Sequence, residues 1–357
     1  MSGRSDFRPT RADIDLGAFS RNLDALVARL PQGARLVAVL KANAYGHGAI
    51  ETARRCDADR VAMIAVALLE EALELRRAGI TLPLFVFGPT AAIDVALDND
   101  ITLGVVGPEE LSAVCEVARH RDVAIHLKLD SGMGRMGVVE SEFPQVIEMI
   151  RNALRLRIDG IYTHLANADE PDDSYSATQI ANFDRMLAAL RAAGIDAPLH
   201  HIANSAATMR GLVRPGDYAR AGIALFTLTP VMRWRTEIVR LKTLPRGAAI
   251  GYGTTFHTAR ESRIATLPVG YADGYRRALS NNADVLVRGK RAPVVGRVSM
   301  DLVTIDVTDV EAAVGDEVVL LGDSISAAEL AAKAGTISYE IFCGVTPRVP
   351  RRYFGGP

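Results

Sequence analysis

The chain has 357 residues, of which 49% are apolar and 23% are charged. This composition is that of a globular protein and excludes disordered and collagen-like chains. At about 150 residues per domain, the length predicts two domains. The 41 basic residues are balanced by 42 acidic ones, so the chain lacks the basic excess of proteins that bind nucleic acids or anionic membranes. We expect a small molecule or a protein as partner, with no nucleic acid and no membrane.

No targeting or metal signal stands out. The longest apolar run, residues 61–69, is about half as long as the roughly 20 residues of a membrane helix. The N-terminus has no apolar core of a secretory signal, so we expect a cytoplasmic protein. The scattered cysteines Cys56, Cys115 and Cys343 predict reduced thiols and no metal site.

From residue 35 to about 226, short apolar runs alternate with amphipathic segments. This rhythm favours a (β/α)8 barrel of the TIM type over a sandwich or a bundle. The predicted strands are 36–41, 60–67, 82–88, 101–107, 123–130, 157–166, 199–205 and 218–226, and predicted helices include 70–79, 108–120 and 181–194.

After Pro230 the pattern changes to β-rich stretches separated by turn residues, with little helical periodicity. We therefore predict an α/β protein with two domains. Residues 1–228 form the barrel, and residues 229–357 form a C-terminal, mostly β domain.

Several polar side chains share the predicted inner faces of the barrel strands, because alternate residues of a strand point inward. A structural barrel interior is mostly branched and apolar, so polar groups here favour a site. They are Lys41 after the first strand, His126, Lys128 and Asp130 on the fifth, and Tyr162 and His164 on the sixth.

Lys41 is the first candidate for chemistry. A lysine that is partly desolvated near other cations has a lowered pKa and forms Schiff bases with aldehydes. Taken alone, Lys41 favours a solvated lysine at a strand end, and only the surrounding sequence changes that interpretation.

The stretch around Lys41, VAVLKANAYGHG at 37–48, resembles the pyridoxal-phosphate signature of alanine racemases. Further motifs follow in the order and spacing of that family. They are KLDSGMGRMG (128–137), YTHLANADE (162–170), ANSAA (203–207), ARAGIAL (219–225), IGYGTTF (250–256), PVGYADGYRR (268–277), GRVSMD (296–301) and TISYE (336–340).

The resemblance implies a pyridoxal 5′-phosphate enzyme that interconverts L-alanine and D-alanine. It implies a homodimer in which each active site borrows residues from the partner. Such an enzyme supplies D-alanine for peptidoglycan or degrades it.

In the family pattern, Lys41 holds the cofactor and is one catalytic base, while Tyr252 of the other chain is the second. Inversion at a carbon by proton exchange requires proton donors on two opposite faces, so two bases suit the reaction.

The cofactor site implied by the resemblance places Arg220 against the pyridine nitrogen and His164 against the ring. A guanidinium cannot accept the ring proton, which limits carbanion character and favours simple proton exchange. The resemblance assigns the phosphate to Tyr45, Ser205, Gly222, Ile223 and Tyr339.

Arg135 and Met300 are implied to bind the substrate carboxylate, and Arg135 to lower the pKa of Tyr252. Lys128 resembles a lysine that many family members carry as a carbamate, and Asp301 lies beside Met300. Tyr271, Arg277, Ile337 and Tyr339 resemble a constriction that admits only small substrates.

Three alternatives remain open. A broad-specificity amino-acid racemase differs only in pocket size. A barrel-fold decarboxylase with the same cofactor needs an acidic residue where Arg220 stands. A non-enzymatic pyridoxal-phosphate-binding protein lacks the C-terminal domain.

Overall fold

The computed structural model describes residues 7–172 and 174–356, which divide into two compact units. One unit contains residues 19–44 and 49–228, and the other contains residues 7–18, 45–48 and 229–356. No helix within the described ranges is long and apolar enough to cross a membrane.

After the N-terminal strand β1 (Arg11–Asp15), the first unit is built on eight parallel strands. Neighbouring strands are hydrogen-bonded in the order β8-β7-β6-β5-β4-β3-β2-β9. The two end strands are also linked, because the Arg220 N–H of β9 donates to the carbonyl of Ala203, just after β8 (2.9 Å). The strands are β2 (Arg35–Val39), β3 (Val61–Val66), β4 (Leu84–Val86), β5 (Ile101–Val105), β6 (Val123–Lys128), β7 (Leu156–Tyr162), β8 (Leu199–His201) and β9 (Tyr218–Ala221).

All eight predicted strands are present, so the predicted barrel is confirmed. The observed strands are mostly shorter than their apolar runs because the last residues of each run turn into the loops at the carboxyl end. The helices that precede, connect or follow them are Leu16–Val27, Ala49–Ala53, Leu69–Arg77, Ile93–Asp98, Pro108–Val117, Phe143–Asn152, Ser174–Ala192, Ser205–Met209 and Ala224–Thr227.

The second unit is β-rich, as predicted. A six-stranded sheet has the order β16-β15-β18-β10-β1-β19, a three-stranded sheet has the order β11-β14-β17, and β12 pairs with β13. The strands are β10 (Met232–Glu237), β11 (Arg240–Leu244), β12 (Ala249–Ile250), β13 (Phe256–His257), β14 (Ser262–Leu267), β15 (Asp284–Val287), β16 (Lys290–Pro293), β17 (Val303–Asp306), β18 (Glu317–Leu321) and β19 (Arg351–Phe354). Helices Ala327–Ala334 and Ser338–Gly344 complete this unit.

Strand β10 shows why these residues form a sheet with one buried face. Met232, Trp234 and Thr236 alternate with more exposed residues, as period-2 burial requires. The buried Trp234 ring packs edge-on against Tyr275, with the ring centroids 6.0 Å apart.

The position of β1 differs from the sequence expectation, which assigned residues 1–228 to the barrel. Strand β1 pairs with β10 in antiparallel and with β19 in parallel orientation. The Thr10 hydroxyl also lies 2.8 Å from that of Thr236. Residues 7–18 therefore belong to the β-rich unit, a pairing across more than 200 residues that no local pattern in the chain specifies.

A buried carboxylate fixes the turn Tyr271–Asp273 in the β-rich unit. Asp273 is fully buried and accepts hydrogen bonds from both terminal nitrogens of Arg8 (2.7 and 3.0 Å) and from the Gly270 N–H (3.0 Å). Arg348 lies 3.5 Å away and also donates to Asp301 at 2.7 Å. Because a buried charge is costly unless it is paired, Arg8 and Asp273 depend on each other.

We predict that Asp273→Asn lowers the free energy of unfolding by about 3 kcal/mol, because it leaves the Arg8 charge without its bidentate partner. Urea denaturation measures the loss. Asp309→Asn, which removes the exposed partner of Arg260, is the matched control and should have little effect. Equal effects of the two substitutions would contradict the prediction.

Candidate active site

The centre of the barrel's carboxyl end is the buried guanidinium of Arg220 on β9. Its Nη1 donates to the His201 carbonyl and to His201 Nδ1 (3.0 Å). Its Nη2 donates to the carbonyls of Thr163 (2.7 Å) and Ile202 (3.1 Å) and lies 3.3 Å from His164 Nδ1. All these acceptors are neutral groups, so no carboxylate among the described residues is in hydrogen-bond contact with the positive charge.

The Nε of Arg220 makes no hydrogen bond to any residue that the structure describes, and it is not among the fully buried unpaired atoms. Burial lowers the pKa of Arg220 to about 10, so the group remains charged at neutral pH. The site therefore offers one cationic N–H donor to a ligand.

Two histidines form a chain behind Arg220. Because His201 Nδ1 accepts from the guanidinium, its Nε2 carries the hydrogen and donates to His126 Nδ1 at 2.8 Å. Burial and the charge of Arg220 lower the pKa of His126 to about 4 and that of His201 well below its usual value. Both imidazoles are neutral, as the chain of acceptors requires.

An aromatic layer packs against these histidines. The Tyr162 ring stacks on His201 with centroids 4.6 Å apart and planes 4° from parallel. Phe85 lies 4.7 Å from the His126 ring, and the Arg220 guanidinium lies 5.6 Å from the Tyr162 centroid. The layer restricts the directions in which the histidines and the arginine can point.

Glycines in neighbouring strands make room for this layer. A Cβ at Gly160 on β7 would lie 2.7 Å from the His126 ring, and one at Gly104 on β5 would lie 2.7 Å from the Tyr162 hydroxyl. A glycine inside a buried strand is a signal of close approach that the sequence analysis did not use. His201 carries a similar signal in the sequence, because strand alternation turns it inward when its neighbour His200 faces the other side.

Positive charge gathers near His164. Burial, followed by Arg220, Arg135, Lys128 and Lys41, lowers the pKa of His164 to about 3. Burial, Arg135, Arg220 and Lys41 also lower the pKa of Lys128 to about 8. Four cations that act on one neutral imidazole favour an anionic ligand.

Asp130, which the strand pattern placed on the inner face, instead organises the loop after β6. Its Oδ1 accepts the N–H groups of Gly132 (3.0 Å), Met133 (2.7 Å) and Gly134 (3.1 Å). The exposed Arg135 follows this turn directly, so the carboxylate fixes the backbone position from which the Arg135 side chain extends.

The predicted phosphate residues of the barrel lie at the ends of β8 and β9. Ser205 Oγ accepts the N–H groups of Gly222 (2.8 Å) and Ala224 (3.4 Å). Ile223 lies between these two residues in sequence. The structure thus brings Ser205, Gly222 and Ile223 together.

Lys41 does not end a strand as predicted, because β2 ends at Val39. The residues after Lys41 form a left-handed turn, with φ of 52° at Ala42, 54° at Asn43, 52° at Ala44 and 51° at Tyr45. Each such residue costs roughly 1–2 kcal/mol relative to right-handed backbone. Strain of this size persists only where surrounding contacts hold it, and it is typical of functional sites.

The remaining predicted residues lie on the β-rich unit. Tyr252 is 73% exposed and begins the turn Tyr252–Thr254, between Gly251 and Gly253, both with φ near 70°. Tyr271 and Met300 come together because the Tyr271 N–H donates to the Ser299 carbonyl and the Ala272 N–H donates to the Met300 carbonyl, both at 3.0 Å.

Tyr45 and Tyr339 also meet in this unit, with ring centroids 5.8 Å apart. Arg277 and Ile337 are exposed, Ile337 by 62%, and Asp301 is bound by Arg348. Lys41 and Tyr252, the two predicted bases, belong to different compact units.

The neutral histidines predict a dependence of stability on pH. The pKa of His126 is about 4 in the folded chain against 6.5 for an imidazole in water, so unfolding takes up protons between these values. The free energy of unfolding should therefore fall as the pH falls from about 6.5 towards 4, and His126→Asn should reduce proton uptake by about one near pH 5. Urea titrations at several pH values measure this, with the exposed His257→Asn as control. An unchanged slope in His126→Asn would refute the assignment.

Comparison with known proteins identifies the same family that the motifs indicated. The model of the alanine racemase N-terminal domain matches residues 14–230, and that of the C-terminal domain matches residues 231–353. Alanine racemase of Halothermothrix orenii is 42% identical, covering 97% of this chain and 97% of its own. That of Desulfovibrio desulfuricans is 40% identical, covering 97% and 98%.

Solved structures agree. Alanine racemase from the D-cycloserine producer Streptomyces lavendulae superimposes with a TM-score of 0.94 at 36% identity, covering 98% of both chains. The enzyme from Bacillus anthracis with bound L-Ala-P gives 0.91 at 36% identity, covering 98% of this chain and 96% of that one. Both domains match in order along the chain, and the match covers 96–98% of each of these relatives. The chain therefore belongs to the alanine racemase family, whose members are isomerases that act on alanine.

Proposed function

We propose that this protein interconverts L-alanine and D-alanine with pyridoxal 5′-phosphate, using Lys41 and the partner subunit's Tyr252 as two bases. The observation that carries the proposal is the buried Arg220, which keeps one N–H donor available and has only neutral partners. This arrangement suits the pyridine nitrogen of the cofactor and does not suit a decarboxylase, which needs an acid there.

The donors in the barrel fit the cofactor. Ser205 supplies a hydroxyl and Ile223 a main-chain N–H for a phosphate, and Gly222, whose N–H donates to Ser205 Oγ, allows the main chain to approach closely. The resemblance also assigns the phenols of Tyr45 and Tyr339, on the β-rich unit, to this phosphate. Lys41 supplies the amine for the aldehyde. When bound, pyridoxal phosphate delocalises the electron pair left on the substrate α-carbon after deprotonation.

Proton transfer is then the task of Lys41 Nζ and the Tyr252 hydroxyl. One group removes the α-proton and the other delivers a proton to the opposite face, with the roles exchanged for the other enantiomer. Arg220 presents only donors and cannot accept a proton, which limits charge build-up on the ring and favours proton exchange over side reactions. Arg135 and the Met300 N–H bind the substrate carboxylate.

The second base would come from a partner because the single chain leaves it in solvent. Tyr252, Tyr271, Met300 and Ile337 are all exposed apolar or aromatic side chains of the β-rich unit. Exposed groups of this kind mark surfaces that another chain covers. In the homodimer we propose, Arg135 donates a hydrogen bond to the phenolic oxygen of the partner's Tyr252.

The size of the substrate would be limited by Tyr271, Arg277, Ile337 and Tyr339. We infer that these residues favour alanine over larger amino acids. A cytoplasmic enzyme of this kind serves peptidoglycan synthesis or the degradation of D-alanine.

We predict that Tyr252→Phe loses about 10²–10⁴-fold in turnover in both directions while it keeps cofactor absorbance, because a phenyl ring cannot transfer a proton. Chiral analysis of L-alanine and D-alanine incubations measures this. Tyr218→Phe, the same change at the amino end of β9, is the control. Full turnover of Tyr252→Phe in both directions would refute the two-base mechanism.

We also predict that Lys128 forms a carbamate. A pKa of about 8 leaves roughly a tenth of its amine neutral at pH 7, far more than for an ordinary lysine, and only the neutral amine attacks carbon dioxide. The resulting anion would pair with Arg135. A carbamate signal in ¹³C NMR with labelled bicarbonate, absent in Lys128→Met, is the expected result, and a spectrum without this signal in the wild type would contradict it.

A further inference from the structure

We propose that Glu71 is a positioning residue that fixes the direction of Lys41 through the peptide bond that follows it. Glu71 Oε1 accepts the N–H of Ala42 at 2.6 Å. Glu71 Oε2 accepts the N–H groups of Ala67 (2.9 Å) and Leu68 (3.1 Å). One carboxylate thus ties together the loops that follow the adjacent parallel strands β2 and β3. The inference rests on the proposed function in one point, that Lys41 binds the cofactor.

Helix capping accounts for only half of this arrangement. Glu71 is the third residue of the helix Leu69–Arg77, and its bond to the Leu68 N–H is the return half of a capping box. That role requires Oε2 alone. The Ala42 contact of Oε1 reaches 29 residues back along the chain and has no function in the helix.

The contact lies where the backbone most needs support. Ala42 opens the left-handed run, and it is followed by three more residues with φ of 54°, 52° and 51°. Alanine disfavours this conformation because its Cβ approaches the carbonyl oxygen. A carboxylate that accepts the Ala42 N–H stabilises the turn, whereas release of the turn would let the preceding residue, Lys41, rotate away.

The sharpest test is Glu71→Gln, which preserves shape but leaves one acceptor oxygen for two loops. Loss of a hydrogen bond to a charged group predicts a rise of about tenfold in the dissociation constant for pyridoxal phosphate. Amide hydrogen exchange of residues 42–45 should accelerate by a similar factor, and the melting temperature should stay near that of the wild type. Glu70→Gln, an exposed neighbour on the same helix with the same charge change, should alter neither readout.

A second substitution separates positioning from capping. Glycine adopts left-handed backbone without a steric penalty, so Ala42→Gly added to Glu71→Gln should recover most of the lost cofactor affinity. A loss caused by the missing cap cannot be recovered in this way. If Glu71→Gln does not fold, Glu71→Asp, whose shorter side chain cannot span both loops, is measured in the same manner.

The inference is overturned if Glu71→Gln matches Glu70→Gln in both readouts, or if Ala42→Gly recovers nothing. These outcomes are distinct from failure of the proposed function. A wild-type protein that does not interconvert the alanine enantiomers refutes the function, whereas hydrogen exchange at residues 42–45 reports on Glu71 without any cofactor or substrate.

Discussion

A buried guanidinium without a carboxylate partner determines the organisation of the barrel's carboxyl end. Removing the Arg220 charge from water requires partners for its donors, and the carbonyls of three residues, together with neutral imidazoles, bind its two Nη groups, which leaves Nε for a ligand. The histidines must stay neutral because a charged one would repel the guanidinium and lose its acceptor. The stacked Tyr162 and the space left by Gly160 follow from the need to hold those imidazoles in place.

Because no carboxylate in the described ranges pairs with it, this charge remains available to a ligand. The nearby Lys41, Lys128 and Arg135 add to the same positive field, which, after burial, further lowers the pKa of His164. A field of one sign in a partly desolvated pocket attracts an anionic molecule and resists an acidic residue. The site is thus prepared electrostatically before any ligand arrives.

The backbone supplies the second constraint. Lys41 precedes a left-handed turn of non-glycine residues, so its direction depends on contacts that hold a disfavoured conformation. In the β-rich unit, the buried Asp273 and Arg8 have a comparable role for the turn that carries Tyr271. In both places a carboxylate accepts a main-chain N–H, Glu71 from Ala42 and Asp273 from Gly270, and so supports the turn that carries a predicted site residue. The Glu71 contact and the Arg8–Asp273 pair join residues that are far apart in the sequence, so no local pattern reveals them.

The sequence by itself determined the eight strands, the change to a β-rich second half and, through its motifs, the family. Residues that face the core recur at a regular spacing along each strand and helix. This apolar pattern can therefore be recognised in the sequence without coordinates. The alternation of His126 and Lys128 also indicated a polar interior correctly.

Only the tertiary structure decided the pairing of β1 with β10 and β19, the left-handed turn after Lys41, and the chain of hydrogen bonds from Arg220 through His201 to His126. Each depends on groups that are distant in sequence, such as Glu71 with Ala42 or Arg8 with Asp273. The residue pattern of one segment predicts which of its own residues are buried. A hydrogen bond between two segments forms only when the fold has brought both of them together.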